Sequence, residues 1–458
     1  MDTNLWNKIR DFDLDQPLSE YGFSLRLARE NYWTAEFTRK AVIEYKKFMY
    51  LAAISDAMVS PSKIVDTVWH QHLTFTQSYN EFCGILGRQV QHIPSNRGAD
   101  DRQKFQQAKT RTNELYKTEF GDAPDDIWKY QGMYESLNLP KAKYKLRSFI
   151  ILGMLGFAVL SVPAFFILRG FYIGINNPVF LFFFAGIVIV TFFWLEFSNR
   201  AALKRIVSQF DKSSFVFELR AKELIYLKTR NIEDAIHAVM NKMFVDKKIL
   251  IDDTSIEMNP GSEASNLEEW TVLDTLDKLK KVRYSKVLTK LKTKPVFFNI
   301  RNTVDALQKY FNKSKAFADI FYTNFFVLAG VVMLGFIRLL TGLTRGRPIE
   351  LIAILLIIVV GIVIFFLMHL SSQFSKQTIP DLYRKNILPV RKEQQNYEWD
   401  YFLMGDQVLA REFILVKGTS DIDTSSSSGG SDSSGSSDSG GSCGSSCGSS
   451  CGGCGGGD

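Results

Sequence analysis

Cysteine is scarce where a disulfide scaffold would need it. Of the five in the chain, only Cys83 lies outside the last sixteen residues. An extracellular disulfide framework would spread its cysteines through the folded part. A cleavable leader is missing too: Met1-Asp2-Thr3-Asn4-Leu5-Trp6 has neither a basic n-region nor an apolar h-region. The expectation is that the residues before the first apolar run are not exported. Charge is the third absence, and it occurs in four places. The runs Phe149–Leu168, Pro178–Leu195, Ile320–Leu340 and Leu351–Leu370 carry no Asp, Glu, Lys or Arg in their middles. Runs of about 18–21 apolar residues cross a hydrocarbon core of about 30 Å as helices. A mean hydropathy of -0.04 therefore averages over a sharp split between spans and polar segments.

The fold class that follows is a multidomain membrane protein, mainly α, with four transmembrane helices in two hairpins. It is expected to carry an α-helical N-terminal domain, an α+β winged-helix-like middle domain and a disordered tail. The ranges are 1–140 for the first domain, 149–195 for the first hairpin and 197–319 for the middle domain. The second hairpin is 320–370, followed by a segment 371–417 and a tail 418–458. The formal charge of +7 is mild, and part of it flanks the spans. Lys141, Lys143, Lys145 and Arg147 precede the first span, and Arg200, Lys204 and Arg205 follow the second. Their connection carries only Arg169. At the second hairpin, Lys313, Lys315, Lys376, Arg384 and Lys385 outweigh Arg345 and Arg347 of the turn. Positive flanks stay inside, so both termini are expected in the cytoplasm.

In the N-terminal domain, Thr34 can cap a helix through Asp56, and Ser60-Pro61 opens a second one running to about Phe82. A third is predicted from Asp100 to about Phe120, followed by a turn at Gly121-Asp122-Ala123-Pro124. In the middle domain, helices over Glu223–Thr229 and Glu233–Met243 precede a hairpin of Ile249–Ile251 with Ser255–Met258. That is the outline of a winged helix, and Trp270–Lys294 with Phe297–Phe311 suggests a second such unit. Helical character returns near Trp399–Leu409.

Asp66-Thr67-Val68-Trp69-His70-Gln71-His72-Leu73, followed by Tyr79, Cys83 and His92-Ile93-Pro94, is the stretch richest in chemistry. Its His, Cys and Asp are the usual ligands of zinc. At about 100° per residue, Asp66 and His70 fall within about 40° of each other on a helix, one turn apart. His72 points about 200° away from His70, towards Tyr79 and Cys83. On a continuous helix, His72 and Cys83 are about 16 Å apart, too far for one ion. The metal set is thus Asp66 and His70, with His92 folding back as a third ligand; His72 and Cys83 are the weaker candidates. The favoured alternative makes Trp69, His70 and His72 packing residues whose ring nitrogens bond Asp66 or backbone. A hydrolytic mechanism would need a further motif to supply a general base.

Trp33-Thr34-Ala35-Glu36-Phe37, Glu44-Tyr45-Lys46-Lys47-Phe48, Val65 through Leu73, Ser78-Tyr79, Cys83, Leu86-Gly87-Arg88 and His92-Ile93-Pro94 together resemble the glycine-rich domain-containing protein family. The similarity is to its bacterial membrane branch, where a Trp-His-x-His-Leu domain precedes membrane spans and a Gly/Ser/Cys tail. Glu223-Leu224-Ile225-Tyr226-Leu227 resembles that branch as well. The resemblance covers nearly the whole chain and implies a bacterial inner-membrane protein of the same architecture. It implies no activity. The tail departs from the pattern, being Ser-rich where relatives are denser in Gly and Cys.

That tail carries Cys443, Cys447, Cys451 and Cys454 at regular spacing among Gly and Ser. Such a chain cannot bury a core. Its thiols suit weak soft-metal or partner binding, and as a solubilising spacer it would need none of them. Lys278, Lys280, Lys281, Arg283, Lys286, Lys290, Lys292 and Lys294 form a basic run in the middle domain. Nucleic acid is one partner for it, and a solvated face on anionic lipid is the favoured alternative. The spans offer little beyond Pro163 and Asn324, with Arg338 and His369 at their ends, and read as anchors. The functional expectation is a membrane-anchored scaffold or sensor that contacts lipids and cytoplasmic protein partners, with zinc as its metal. The rival is a membrane-bound metal-dependent enzyme centred on Asp66, His70 and His92.

Overall fold

The computed structural model describes residues 2–93, 99–252, 254–390 and 397–426. The chain is mainly helical. Its N-terminal part consists of α1 (Thr3–Asp11), α2 (Phe23–Asn31), α3 (Ala35–Ile54), α4 (Lys63–Thr74), α5 (Thr76–Leu86), α6 (Ala99–Phe120) and α7 (Asp125–Trp128). The central helix α3 starts where expected: Thr34 Oγ1 accepts from Phe37 N at 3.3 Å. Ala41, Tyr45, Phe48, Met49 and Leu51 are all buried, so neighbouring helices surround it.

The helix expected to begin at Ser60-Pro61 begins two residues later. Ser60 N donates to Thr112 Oγ1 on α6 at 2.8 Å, which holds this stretch extended. Ser62 becomes the cap, accepting from Val65 N at 3.2 Å. Nor is that helix continuous. Thr74 Oγ1 donates back to Gln71 O at 2.7 Å, and Phe75 leaves helical geometry with φ -96° and ψ 63°. One expected helix is therefore two, α4 and α5.

Two long apolar helices follow, α8 (Leu146–Ile173) and α9 (Asn177–Ser208). The middle segment holds α10 (Ala221–Thr229), α11 (Ile232–Val245), β1 (Ile249–Asp252), β2 (Ser255–Met258), α12 (Leu267–Leu279), β3 (Val282–Arg283), α13 (Tyr284–Leu291) and α14 (Pro295–Asn312). Its hairpin pairs Ile249 with Met258 and Ile251 with Ile256, as the pattern predicts. The second winged unit does not stand apart. Val282 pairs with Ile256, so β3 extends the same antiparallel sheet in the order β1-β2-β3.

The remaining long helices are α15 (Lys315–Thr344) and α16 (Glu350–Gln373). Helix α16 runs on through a π turn at Phe374–Thr378, α17 (Ile379–Leu382) and another π turn ending at Ile387. Two further helices, α18 (Tyr397–Met404) and α19 (Arg411–Ser426), complete the described chain. Four helices are long and apolar enough to cross a membrane, those beginning at Leu146, Asn177, Lys315 and Glu350.

Packing among the four departs from two self-contained hairpins. Helix α15 packs along α8 and also against α9 and α16, whereas α8 and α9 diverge from their shared turn. Ring contacts show the α8–α15 seam: Phe149 stacks on Tyr322 at 3.8 Å, and Phe157 meets Phe336 at 5.8 Å. Gly335 admits α9, since a Cβ there would lie 2.7 Å from Phe184 Cζ. Small residues let apolar helices approach closely where lipid offers no hydrophobic drive. Across the same seam, Asn199 and Asn324 exchange amide hydrogen bonds at 2.9 and 2.7 Å.

The segments outside the four long helices gather at one end of them. Ala142 N donates to Lys313 O at 2.9 Å and Lys315 N to Pro140 O at 2.7 Å, so the starts of α8 and α15 adjoin. Gln373 Nε2 on α16 donates to Glu196 Oε1 on α9 at 2.9 Å. At the opposite end, Arg338 clamps the α8–α9 turn by donating to Ile175 O at 2.8 Å and Asn177 Oδ1 at 2.6 Å.

N-terminal, middle and C-terminal segments share one contiguous apolar core, from Ile9 to Val416. A buried carboxylate fastens the first two together. Glu223 accepts from Arg220 N at 2.8 Å and from Ala35 N, at the start of α3, at 3.0 Å. Burial raises its carboxyl group above the ordinary value, against the lowering effect of these two amides. The disorder expected from Gly418 does not begin there, because α19 continues as helix to Ser426; residues 427–458, with Cys443, Cys447, Cys451 and Cys454, lie outside the described residues.

Candidate metal centre

Helix α4 and the chain after α5 build the site. With Ser62 as cap, Asp66 falls in the first turn and His70 one turn later on the same face. Gly87 closes α5 at φ 72°, a left-handed position that reverses the chain. Arg88 Nη1 then donates to Ser55 O at 3.1 Å. Trp69 Nε1 donates to Tyr79 Oη at 3.2 Å, and the Tyr79 hydroxyl in turn donates to Val90 O. That relay fixes the returning strand of chain, and His92 lands edge-on against Trp69 with ring centroids 4.7 Å apart.

The result is a cluster of three. His92 Nε2 lies 2.9 Å from Asp66 Oδ1, and His70 Nε2 lies 3.5 Å from the same oxygen. The two imidazoles are 4.3 Å apart between centroids at 66°. One ligand atom from each of the three falls within 4.8 Å of the others. A tetrahedral zinc with bonds of 2.0–2.1 Å separates its ligand atoms by about 3.3 Å. The two separations from Asp66 bracket that edge length, and the third, between the imidazole nitrogens, is at most 4.8 Å, so the donor set can close on such an ion. Without an ion the same groups form an acid–imidazole pair, with Lys63 Nζ 3.2 Å from Asp66 Oδ2.

Electrostatics favours donor-ready forms. Burial pushes the Asp66 carboxyl up, but its bond with His92 and the charges of His70 and Lys63 prevail, leaving it below the usual value. Burial lowers His70, Asp66 opposes this, and His92 and Lys63 add to the lowering. A neutral imidazole and a carboxylate are the forms a metal takes. The His70 side chain keeps 46% of its exposure, so the cluster opens to solvent on that side.

The weaker candidates go elsewhere. His72 is in the core: Nδ1 lies 2.7 Å from Tyr45 Oη and Nε2 3.1 Å from Ser78 Oγ. With both nitrogens engaged, burial depresses its pKa to about 4. Cys83 is a buried free thiol. The packing reading therefore describes His72 and Trp69, and the convergent reading describes His70. Pro94 lies outside the described residues.

Sequence reasoning missed two buried clusters. Glu44 accepts from Tyr116 Oη and Trp128 Nε1, both at 2.7 Å, and from Lys47 Nζ at 2.8 Å. An acid on the apolar face of α3, between Ala41 and Phe48, was the available signal. His237 is buried against the Tyr284 hydroxyl, and burial holds its pKa down at about 3. Its place within Ala235–Met240, an apolar stretch, marked it as interior.

Residues 9–117 match a family model described as UCP032817-like, about a quarter of the chain and the part that holds all three converging residues. No curated protein and no solved structure matches.

Proposed function

We propose that this chain is a four-span bacterial inner-membrane protein whose soluble body and termini are cytoplasmic. In this reading the body is a scaffold or sensor for cytoplasmic protein partners and binds one zinc ion through Asp66, His70 and His92. Kinship with the glycine-rich domain-containing family belongs to the same proposal. The observation that carries the metal reading is the convergence of two imidazole nitrogens and a carboxylate oxygen within 4.8 Å of one another. Two His and one Asp make a ligand set suited to zinc, with one position left for water or a partner's group. The basic flanks of the spans support the orientation.

Bound there, zinc would polarise a water or carbonyl oxygen at that open position. The chain's own part is to hold the three donors. Trp69 and Tyr79 fix His92, and α4 fixes the other two. A solvent-facing edge at His70 also favours the second reading, a metal-dependent enzyme. Elemental analysis of the full-length protein, with Cys443, Cys447, Cys451 and Cys454 changed to Ser, separates this site from the tail. One zinc per chain, lost in His70→Ala/His92→Ala, is expected; a metal-free protein would overturn the reading. Zinc-dependent turnover of a hydrolysable substrate panel would move the assignment to the enzyme. Reporter fusions at Pro140, Glu257 and Lys417 should read cytoplasm, and one at Asn176 the far side. A periplasmic signal at Glu257 would reverse the orientation.

A further inference from the structure

Two clusters of positive charge, distant in sequence, meet where α8 and α15 begin. Lys141 stands opposite Ser314 in an antiparallel bridge, and the flanking bonds are Ala142 N to Lys313 O and Lys315 N to Pro140 O. Directly opposed residues in such a pair have Cα atoms about 4.5–5.5 Å apart. The bridge therefore brings Lys141 and Lys143 beside Lys313 and Lys315, with Lys145 and Arg147 following on the first turn of α8. All six side chains are exposed. Among the described residues none of the six is held by a carboxylate. Asp319, exposed on the next turn of α15, is the one acidic side chain in these short stretches.

The basic run of the middle domain behaves differently. There Lys278 pairs with Asp274 at 2.7 Å, Lys280 with Asp277 at 2.9 Å and Lys292 with Glu233 at 2.6 Å. Lys281 pairs with Asp252, and Lys294 with Glu20. Most of that charge is compensated within the protein, whereas the charge at the base of α8 and α15 is not.

The surroundings say what compensates it. Phe149 stacks on Tyr322 just inside the apolar span, and Tyr322 Oη donates to Tyr144 O at 3.4 Å. Exposed Tyr144 lies among the cations, with Lys143 Nζ 5.5 Å from its ring centre. Tyrosines of this kind mark the headgroup level of a bilayer, and basic pockets between spans at that level take anionic headgroups. We infer that the paired starts of α8 and α15 form a binding site for the phosphate of an anionic phospholipid, shared between Lys141/Lys143 and Lys313/Lys315. The inference rests on the four-span reading but not on which side of the membrane the body lies, nor on the metal.

The test uses the full-length protein in phosphatidylcholine nanodiscs containing a minority of spin-labelled phosphatidylglycerol. Its association constant is measured relative to spin-labelled phosphatidylcholine. Lys141→Gln/Lys143→Gln and Lys313→Gln/Lys315→Gln should each reduce the preference, by up to about fivefold per charge removed. Lys141→Arg/Lys143→Arg should retain it, which guards against a loss caused by misfolding. The control Lys204→Gln/Arg205→Gln removes two exposed cations from the end of α9, on the same side of the bilayer, and should change it little. An equal loss in that control would mean a diffuse surface field, and no loss in either test variant would remove the site; both overturn the inference. Displacement of the labelled lipid by millimolar glycerol phosphate would assign the cluster to free phosphates and overturn it as well. A chain that stays out of the bilayer altogether would instead refute the four-span reading.

Discussion

Replacing His72 by alanine separates the interior histidine from the pair beside Asp66 more cleanly than any change at the cluster itself. The ring is fully buried and lies edge-on to Phe23, Tyr45 and Tyr79. Its removal leaves a cavity and strands the Tyr45 hydroxyl, which no longer has its partner at 2.7 Å. Large-to-small core changes and orphaned buried hydroxyls together cost about 3–5 kcal/mol. The deficit should also depend on pH. In the folded protein His72 titrates at about 4, below its ordinary value of 6.5. The unfolded chain therefore binds the proton first as pH falls, and wild-type stability drops between those two values. The stabilisation from the neutral ring is fully present above pH 6.5 and lost through pH 4. That loss amounts to about 3 kcal/mol, and the variant has no such group to lose it. Denaturant unfolding of the full-length protein in detergent, followed by tryptophan fluorescence, should show a deficit near pH 7.5 that narrows towards pH 4. A deficit independent of pH would mean that the ring titrates as if in water, and the interior placement would be wrong.

Glu44→Ala should destabilise by about 3–5 kcal/mol, because Tyr116, Trp128 and Lys47 lose a common buried acceptor; the same unfolding assay measures it, and a loss below 1 kcal/mol would count against the cluster. Tyr79→Phe breaks the relay from Trp69 to Val90, so zinc affinity in a competition titration should fall about tenfold with a stability loss of only about 1–2 kcal/mol. Asn324→Leu removes the amide exchange with Asn199, and helix association measured by unfolding in mild detergent should weaken by about 0.6–2 kcal/mol.

How far these features were legible depends on the range of the interactions that set them. Asp66 and His70 share a face because helical spacing is local, and that much could be computed from the sequence. The return of His92 was readable only as the chain reversal that Gly87 permits; what fixes it, the Trp69–Tyr79–Val90 relay, depends on a hydroxyl whose partner is not adjacent. The false helix start at Ser60-Pro61 shows the same limit. Ser60 and Ser62 are equally good caps, and the choice is made by Thr112 on a different helix. The break at Phe75 had a weak local cue in Thr74, whose hydroxyl competes for a helix carbonyl. Hydropathy located all four long helices, since length and apolarity are properties of each run alone. It could not foresee that α8 would prefer α15 to α9, because that choice rests on how Phe149, Phe157 and Gly153 fit against the rings of α15. Likewise Val282-Arg283 is too short to announce a strand, and only the exposed edge of β2 makes it one.

X-ray absorption at the zinc edge of the full-length, zinc-loaded protein tests the central claim most directly. Imidazole nitrogen and carboxylate oxygen scatter at about 2.0–2.1 Å from zinc, and thiolate sulfur at about 2.3 Å. A shell of light atoms with the outer-ring scattering of two imidazoles, abolished in His70→Ala/His92→Ala, is the expected result. A sulfur-dominated shell, or one unchanged by that double substitution, would place the metal on the tail cysteines and contradict the Asp66–His70–His92 centre.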